Sequence, residues 1–182
     1  MREHRAEKFT STPWQVPVAV EDVAETGARF DLVADAQVRA AVARMAGLRD
    51  LPRLEANFDV TERGAGLHVA GRVSATVGQL CVVTLEPLVN EVEEAINLLF
   101  VPQPTAERED REVGTRGERG DETEPLIGGL VDLGALAIEF LILGLDPYPR
   151  KPGAVFRPPP GAKPDESPFA ALASLKKGAD DR

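Results

Sequence analysis

An α+β domain is what this sequence predicts, and three observations predict it. Between residues 54 and 77, apolar and polar residues alternate with period two on either side of Gly64-Ala65-Gly66, the pattern of a half-buried β-hairpin. Residues 35–47 and 132–145 instead carry a cap residue followed by apolar positions at helical spacing. A third stretch, 89–100, is ambiguous, since Val89, Val92, Glu93 and Ile96 would also fit a helix, but the bounding prolines and missing cap favour a further strand. Together they describe an antiparallel sheet with a buried helix packed on it and a short C-terminal helix. Whether the sheet is strongly bent or barrel-like stays open.

The elements follow in order. Trp14, Val16, Val18 and Val20 alternate along a strand that Pro17 confines to a sheet edge or bulge, because proline brings no amide to a ladder. Residues 29–33 read as a short strand after the Thr26-Gly27 turn. Asp35 caps a helix whose apolar face is Val38, Ala41, Val42 and Met45, and Gly47 stops it. Leu54, Ala56, Phe58 and Val60 line one strand; Leu67, Val69, Gly71, Val73, Ala75 and Val77 share a face of the return strand. After Gly78 the alternation slips, since Leu80 and Val82 break parity with Val77, and a bulge or bend would cause that. The β-branched run then continues through Val82, Val83 and Thr84 to a corner at Glu86-Pro87. In the next strand Asn90 and Glu94 face outward.

Residues 103–125 are dense in charge and glycine and nearly free of large apolar side chains. They bury too little surface to offset the entropy of ordering, and read as a disordered insertion. Asp132 caps a helix over 133–145 that is apolar nearly all round, as a buried helix is. Asp146-Pro147-Tyr148-Pro149 ends it. Residues 157–164 read as extended polyproline-type chain, and Ser167-Pro168 opens a short helix over 168–177. The organisation is one domain over 9–157, interrupted by the insertion, with a Pro-rich tail over 158–182.

Composition narrows the function. The chain has 182 residues, 43% hydrophobic and 28% charged, which suits a globular protein rather than a disordered one. Its net charge of −9 argues against broad, non-specific grip on nucleic acid. Residues 146–182 hold seven basic and five acidic residues, so the remainder carries −11. One cysteine makes no internal disulfide and fits a reducing cytosol. The polar N-terminal stretch shows no secretory signal, and no apolar run reaches membrane-spanning length. The expectation is a soluble cytoplasmic protein with no membrane partner.

The stretch from 78 to 102 organises the rest. It contains Cys81, the single cysteine, a few residues before Glu86-Pro87. Cys81 reads as a small buried strand residue with no zinc role, because Thr84 is a poor ligand and His4 and His68 are far apart in sequence. Glu86 reads as a solvated turn residue rather than a general base. Glu139 interrupts an apolar helix, so a helix-edge position or an arginine partner (Arg72, Arg150 or Arg157) is expected. No phosphate loop, dinucleotide fingerprint, nucleophile elbow or zincin motif is present, and no nucleophile–base–orienter set emerges. No enzyme, cofactor or small-molecule substrate is predicted.

Cys81-Val82-Val83-Thr84-Leu85-Glu86-Pro87 resembles the signature of the bacterial and plastid YceD-like family, the large ribosomal RNA subunit accumulation proteins. Many members have cysteine, two residues, cysteine, leucine, glutamate, proline. Thr84 stands here at the second cysteine position, and several alphaproteobacterial members also lack that cysteine. The acidic insertion, Val131-Asp132-Leu133-Gly134, Asp146-Pro147-Tyr148-Pro149-Arg150 and the closing 167–177 segment follow in the family order. The resemblance implies a non-enzymatic accessory role in large-subunit biogenesis, with large-subunit rRNA precursor or a ribosomal protein as partner. An acidic adaptor for a basic protein is the alternative, for which the −11 body is a natural complement. Tyr148, Arg150, Lys151 and Arg157, with Glu86, are the candidate contacts, since aromatic and cationic groups suit either an RNA base or a protein groove.

Overall fold

The computed structural model describes residues 12–102 and 122–156. In chain order the elements are β1 (Pro17–Ala19), a 3-10 turn (Val20–Asp22), β2 (Ala28–Val33), α1 (Ala36–Met45), β3 (Asp50–Arg63) and β4 (Gly66–Leu80). Then come β5 (Pro87–Pro102), β6 (Glu122–Leu126), β7 (Leu130–Asp132) and α2 (Leu133–Leu143). The fold is α+β: mostly sheet, with two helices. The main sheet has the order β2-β3-β4-β5-β6, and β1 pairs with β7 in a separate two-stranded sheet. The main sheet is open rather than barrel-like, with β2 and β6 as its edges.

The strands read from alternation form its centre. β3 and β4 are joined by Gly64-Ala65, with Gly64 at φ 63°, a conformation glycine adopts without penalty. Residues 89–100 do form a strand, within β5. The sheet is not wholly antiparallel, however. β6 runs parallel to β5, with Leu98 opposite Glu122 and Pro102 opposite Leu126. Residues 122–125, assigned above to the insertion, form most of β6. Their partner is a distant strand end, which composition does not reveal. Residues 103–121, the tail with its 168–177 helix, and Arg157 lie outside the described residues.

One face of the sheet carries the core. Phe58, Val60, Leu67, Val69, Val73, Ala75, Val77, Val92, Ile96 and Leu98 are buried there in one cluster with Val42 of α1 and Leu133, Leu136 and Leu141 of α2. The other face presents Glu55, Asp59, Arg72, Glu91 and Glu93 to water, as an antiparallel arrangement covered on one side allows. Phe58 lies opposite Gly71, where a Cβ would meet the Phe58 ring and the Asn57 carbonyl. The missing side chain is what lets the ring lie over the strand.

Both helices start on aspartate. Asp35 accepts the Val38 amide at 2.8 Å. Asp132 Oδ1 accepts the amides of Gly134 (3.0 Å) and Ala135 (3.1 Å), and also that of Val16 at 2.8 Å. One oxygen thus caps α2 and anchors the N-terminal strand. Each helix keeps the expected face in part: Val38 and Val42 of α1 and Leu136, Ile138 and Leu141 of α2 pack into the core. In α1 the buried residues are Val42 and Ala43, while Met45 is half exposed. Helix α2 lies against β4 and β5 but is not enclosed: it ends at Leu143, and Ile142 and Leu143 are exposed.

Candidate functional site

The signature residues occupy a loop, 81–86, between β4 and β5, closed by the Leu80–Pro87 pair. Cys81 is therefore a loop residue rather than a strand residue, and Val82–Thr84 do not continue the strand as expected. Two backbone bonds set the loop's shape: the Cys81 amide donates to the Glu86 carbonyl and the Leu85 amide to the Cys81 carbonyl, each at 2.9 Å. The second draws Leu85 to φ 59°, the left-handed region that costs a side-chain-bearing residue about 1–2 kcal/mol. Pro87 opens β5, where its missing amide is tolerated.

The arm leaving α2 clamps this loop. The Pro149 carbonyl accepts the Val82 amide at 2.9 Å, and the Lys151 amide donates to Cys81 Sγ at 3.4 Å. Lys151 Nζ reaches Glu86 Oε2 at 2.8 Å. From the other side, Gln79 Nε2 donates to the Asp146 carbonyl at 3.0 Å, and Asn90 Nδ2 donates to Gln79 Oε1 at 3.0 Å. Asn90 and Glu94 thus share the face of Val92 and Ile96 rather than pointing away from it; Glu94 lies beside Gly144, at the end of α2. Sequence reading placed Cys81, Thr84, Glu86 and Lys151 in one motif and one arm. The structure brings these four into contact.

The electrostatics follow from the contacts. Cys81 has no exposed surface, yet its thiol pKa falls to about 7. The Lys151 amide is the main cause and the Thr84 hydroxyl the next, while burial opposes them. The Thr84 amide also points at the sulfur, at 3.4 Å. Glu86 is held below its usual range by the Lys151 ammonium, with help from Thr84, and Lys151 is raised in return by Glu86. Glu86 is thus an exposed turn carboxylate, as expected, but one paired with Lys151 rather than free.

The other candidates point away from this cluster. Tyr148 is 71% exposed, and its amide donates to Asp146 Oδ1 at 2.8 Å. Arg150 is exposed. Glu139 lies at the exposed edge of α2 and lines a small cleft with Asp132 and Phe100; Arg72 pairs instead with Glu93 at 3.2 Å. Sequence reading missed the apolar surface around the loop, where Leu80, Val82, Leu85, Val89, Ile142 and Leu143 are all exposed. The alternation alone reads Leu80 as a slipped core position. The β4–β5 register is in fact unbroken there, and the irregularity sits in β3, between Asp50 and Arg53, next to Pro52. Strict continuation of the β4 parity puts Leu80 outside. A groove of about 540 Å³ runs from Leu48 past Leu80 and Val82 to Ile142 and Pro149.

The loop, α2 and the arm that clamps it fall within a stretch, 69–176, that matches the pattern of the family described as "Large ribosomal RNA subunit accumulation protein YceD". The chain belongs to the YceD family. The match covers more than half of the 182 residues and begins inside β4, so β1, β2, α1 and β3 precede it. No curated protein and no solved structure matches the chain. The family's description ties the chain to accumulation of large-subunit ribosomal RNA. No helix among the described residues is long and apolar enough to cross a membrane.

Proposed function

We propose that this YceD protein is a non-enzymatic, cytoplasmic accessory factor in large ribosomal subunit biogenesis, acting by binding a precursor particle through the clamped-loop end of its sheet. One observation carries this reading: exposed Leu80, Val82 and Ile142 line one groove beside the family signature, whose loop and flanks also expose Leu85, Val89 and Tyr148. Apolar side chains gathered in water, rather than scattered, mark an interaction surface. Tyr148 and Arg150 extend that surface with an aromatic ring and a cation, on an arm already held by the Pro149–Val82 and Lys151–Cys81 contacts. Little ordering entropy remains to be lost on binding.

The test is sedimentation. Tagged protein from native extract should travel with a large-subunit precursor in a sucrose gradient and be released by high salt, and crosslinking should identify large-subunit rRNA or a ribosomal protein. A protein that stays at the top of the gradient, with no ribosomal crosslink, refutes the reading. The adaptor reading draws on the acidic open face (Glu55, Asp59, Glu91, Glu93). It requires a free stoichiometric complex with a basic protein, away from the particle.

A further inference from the structure

The described residues hold eighteen carboxylates against nine arginines and lysines, so a cationic surface has to be built by segregation. One groove does this. A trough of about 410 Å³ runs along α1 and the loop that follows it, and Arg39, Arg44 and Arg49 line it together. Three of the nine cations are there, and only one of the eighteen carboxylates, Asp50. Asp50 holds Arg49 at 3.0 Å, while neither Arg39 nor Arg44 enters an ion pair among the described residues. Elsewhere Arg29, Arg53, Arg72 and Lys151 are each matched by carboxylates.

The floor of the trough is alanine. Ala36, Ala40 and Ala43 recur at helical spacing between the arginines, so a bulky linear ligand can approach the helix closely. Asp35 caps this helix, and Arg39 Nη1 donates to the Ala34 carbonyl at 2.6 Å, which fixes the side chain while leaving its other donors free. Planar guanidinium forks on a rigid helix match phosphate oxygens better than they match a diffuse acidic surface. The trough also adjoins the apolar groove of the proposed binding end, since Leu48 and Arg49 line both.

We propose that the α1 trough is a contact site for the phosphodiester backbone of RNA, with Arg39, Arg44 and Arg49 as its phosphate ligands. It lies wholly before residue 69, outside the family match. The proposal rests on the biogenesis reading, and names RNA as what this side of the protein touches. The contact is sequence-independent: phosphates position the chain, and any sequence preference belongs to the apolar end.

Full-length protein titrated into short fluorescein-labelled RNA oligonucleotides, single-stranded and duplex, tests it by anisotropy between about 50 and 200 mM salt. Wild type should bind with a salt-dependent affinity. The R39Q/R44Q variant should bind about tenfold or more weakly, equally for all sequences, with a single-strand salt slope shallower by about 1.4 for two lost contacts. R29Q/R63Q, away from the trough, should bind as wild type does. If R39Q/R44Q loses helicity along with the Ala34 contact, R44Q/R49Q is read instead, since both of its side chains are exposed. Unchanged affinity and slope in a folded variant overturn the proposal. So does wild type that ignores RNA, or that releases it to polyglutamate at comparable concentration, which would make the trough an acidic-peptide site. Gradient sedimentation decides the biogenesis reading separately, so failure of the trough and failure of that reading are distinguishable.

Discussion

The backbone amide of Lys151 points at the Cys81 sulfur across 3.4 Å, joining residues 70 apart in sequence and fixing the α2 exit against the signature loop. Because this contact favours thiolate, it makes stability depend on pH. The folded thiol titrates near 7 and the free thiol near 9.0, so between those values the unfolded chain binds a proton that the folded chain does not. Stability should rise with pH across that window and the gain should vanish as pH falls through 7. Chemical denaturation of wild type against Cys81→Ser should show a difference that grows from pH 7 to 9 and is flat below. A flat difference throughout would mean that the sulfur does not ionise in this range.

The same geometry separates two substitutions. Serine at 81 keeps an acceptor for the Lys151 and Thr84 amides, so Cys81→Ser should fold and leave ribosome profiles nearly intact. Alanine leaves both amides without one, and an unmet buried donor is costly. Cys81→Ala should melt roughly 5 °C lower than Cys81→Ser. Equal melting temperatures would show that the sulfur is only a space-filler.

Asp132 has a double duty that is measurable. Its Oδ1 caps α2 through Gly134 and Ala135 and holds Val16. Losing a cap costs about 1 kcal/mol, and stranding the Val16 amide adds about 1–3 kcal/mol. Asp132→Ala should therefore lose about 2–4 kcal/mol of unfolding free energy in urea, and Asp132→Asn distinctly less. A loss below about 1 kcal/mol in Asp132→Ala would mean that water replaces the carboxylate at both places.

Where the sequence was legible, one local rule sufficed. Alternation placed Phe58, Val60, Val69 and Val73 in the core, and Asp35 and Asp132 announced both helix starts because a cap acts within one turn. It failed where the partner is remote. Nothing local tells Leu143 that none of the described elements covers it, or Glu122 that it pairs with the end of β5. The signature could be read as a motif at residues 81–87. That its cysteine and glutamate meet Lys151 depends on how α2 delivers the arm. The α1 trough escaped notice because Arg39, Arg44 and Arg49 are dispersed in an acidic chain and cluster only once a helix and its exit loop are built.

Arg150 isolates the arm's contribution to binding. Reversing Lys151 as well would set two carboxylates side by side at Glu86, and so confound binding with loop stability. Arg150→Glu avoids this, since Arg150 is exposed and outside every ion pair among the described residues. It should leave circular dichroism and melting unchanged while reducing co-sedimentation with the large-subunit precursor several-fold. Undiminished co-sedimentation in the folded variant would take the arm out of the interface.

Leu85 offers the sharpest separation of stability from binding. It is 72% exposed, so its side chain adds little to the core, and it holds φ 59°, which glycine would adopt freely. A residue both strained and apolar in water is poorly placed for folding alone, and such strain persists where function holds it. Leu85→Gly relieves about 1–2 kcal/mol of backbone strain and returns about 0.4–1 kcal/mol through a more flexible unfolded chain. The net expectation is a protein as stable as wild type or more stable, by up to about 1.5 kcal/mol. Co-sedimentation should nonetheless fall, because the substitution removes an exposed leucine from the signature loop. Leu85→Asn tolerates the same backbone and removes the same apolar surface, so it should bind as weakly as glycine does. Both variants sedimenting with the precursor as wild type does would show that Leu85 serves the loop's shape and not the partner.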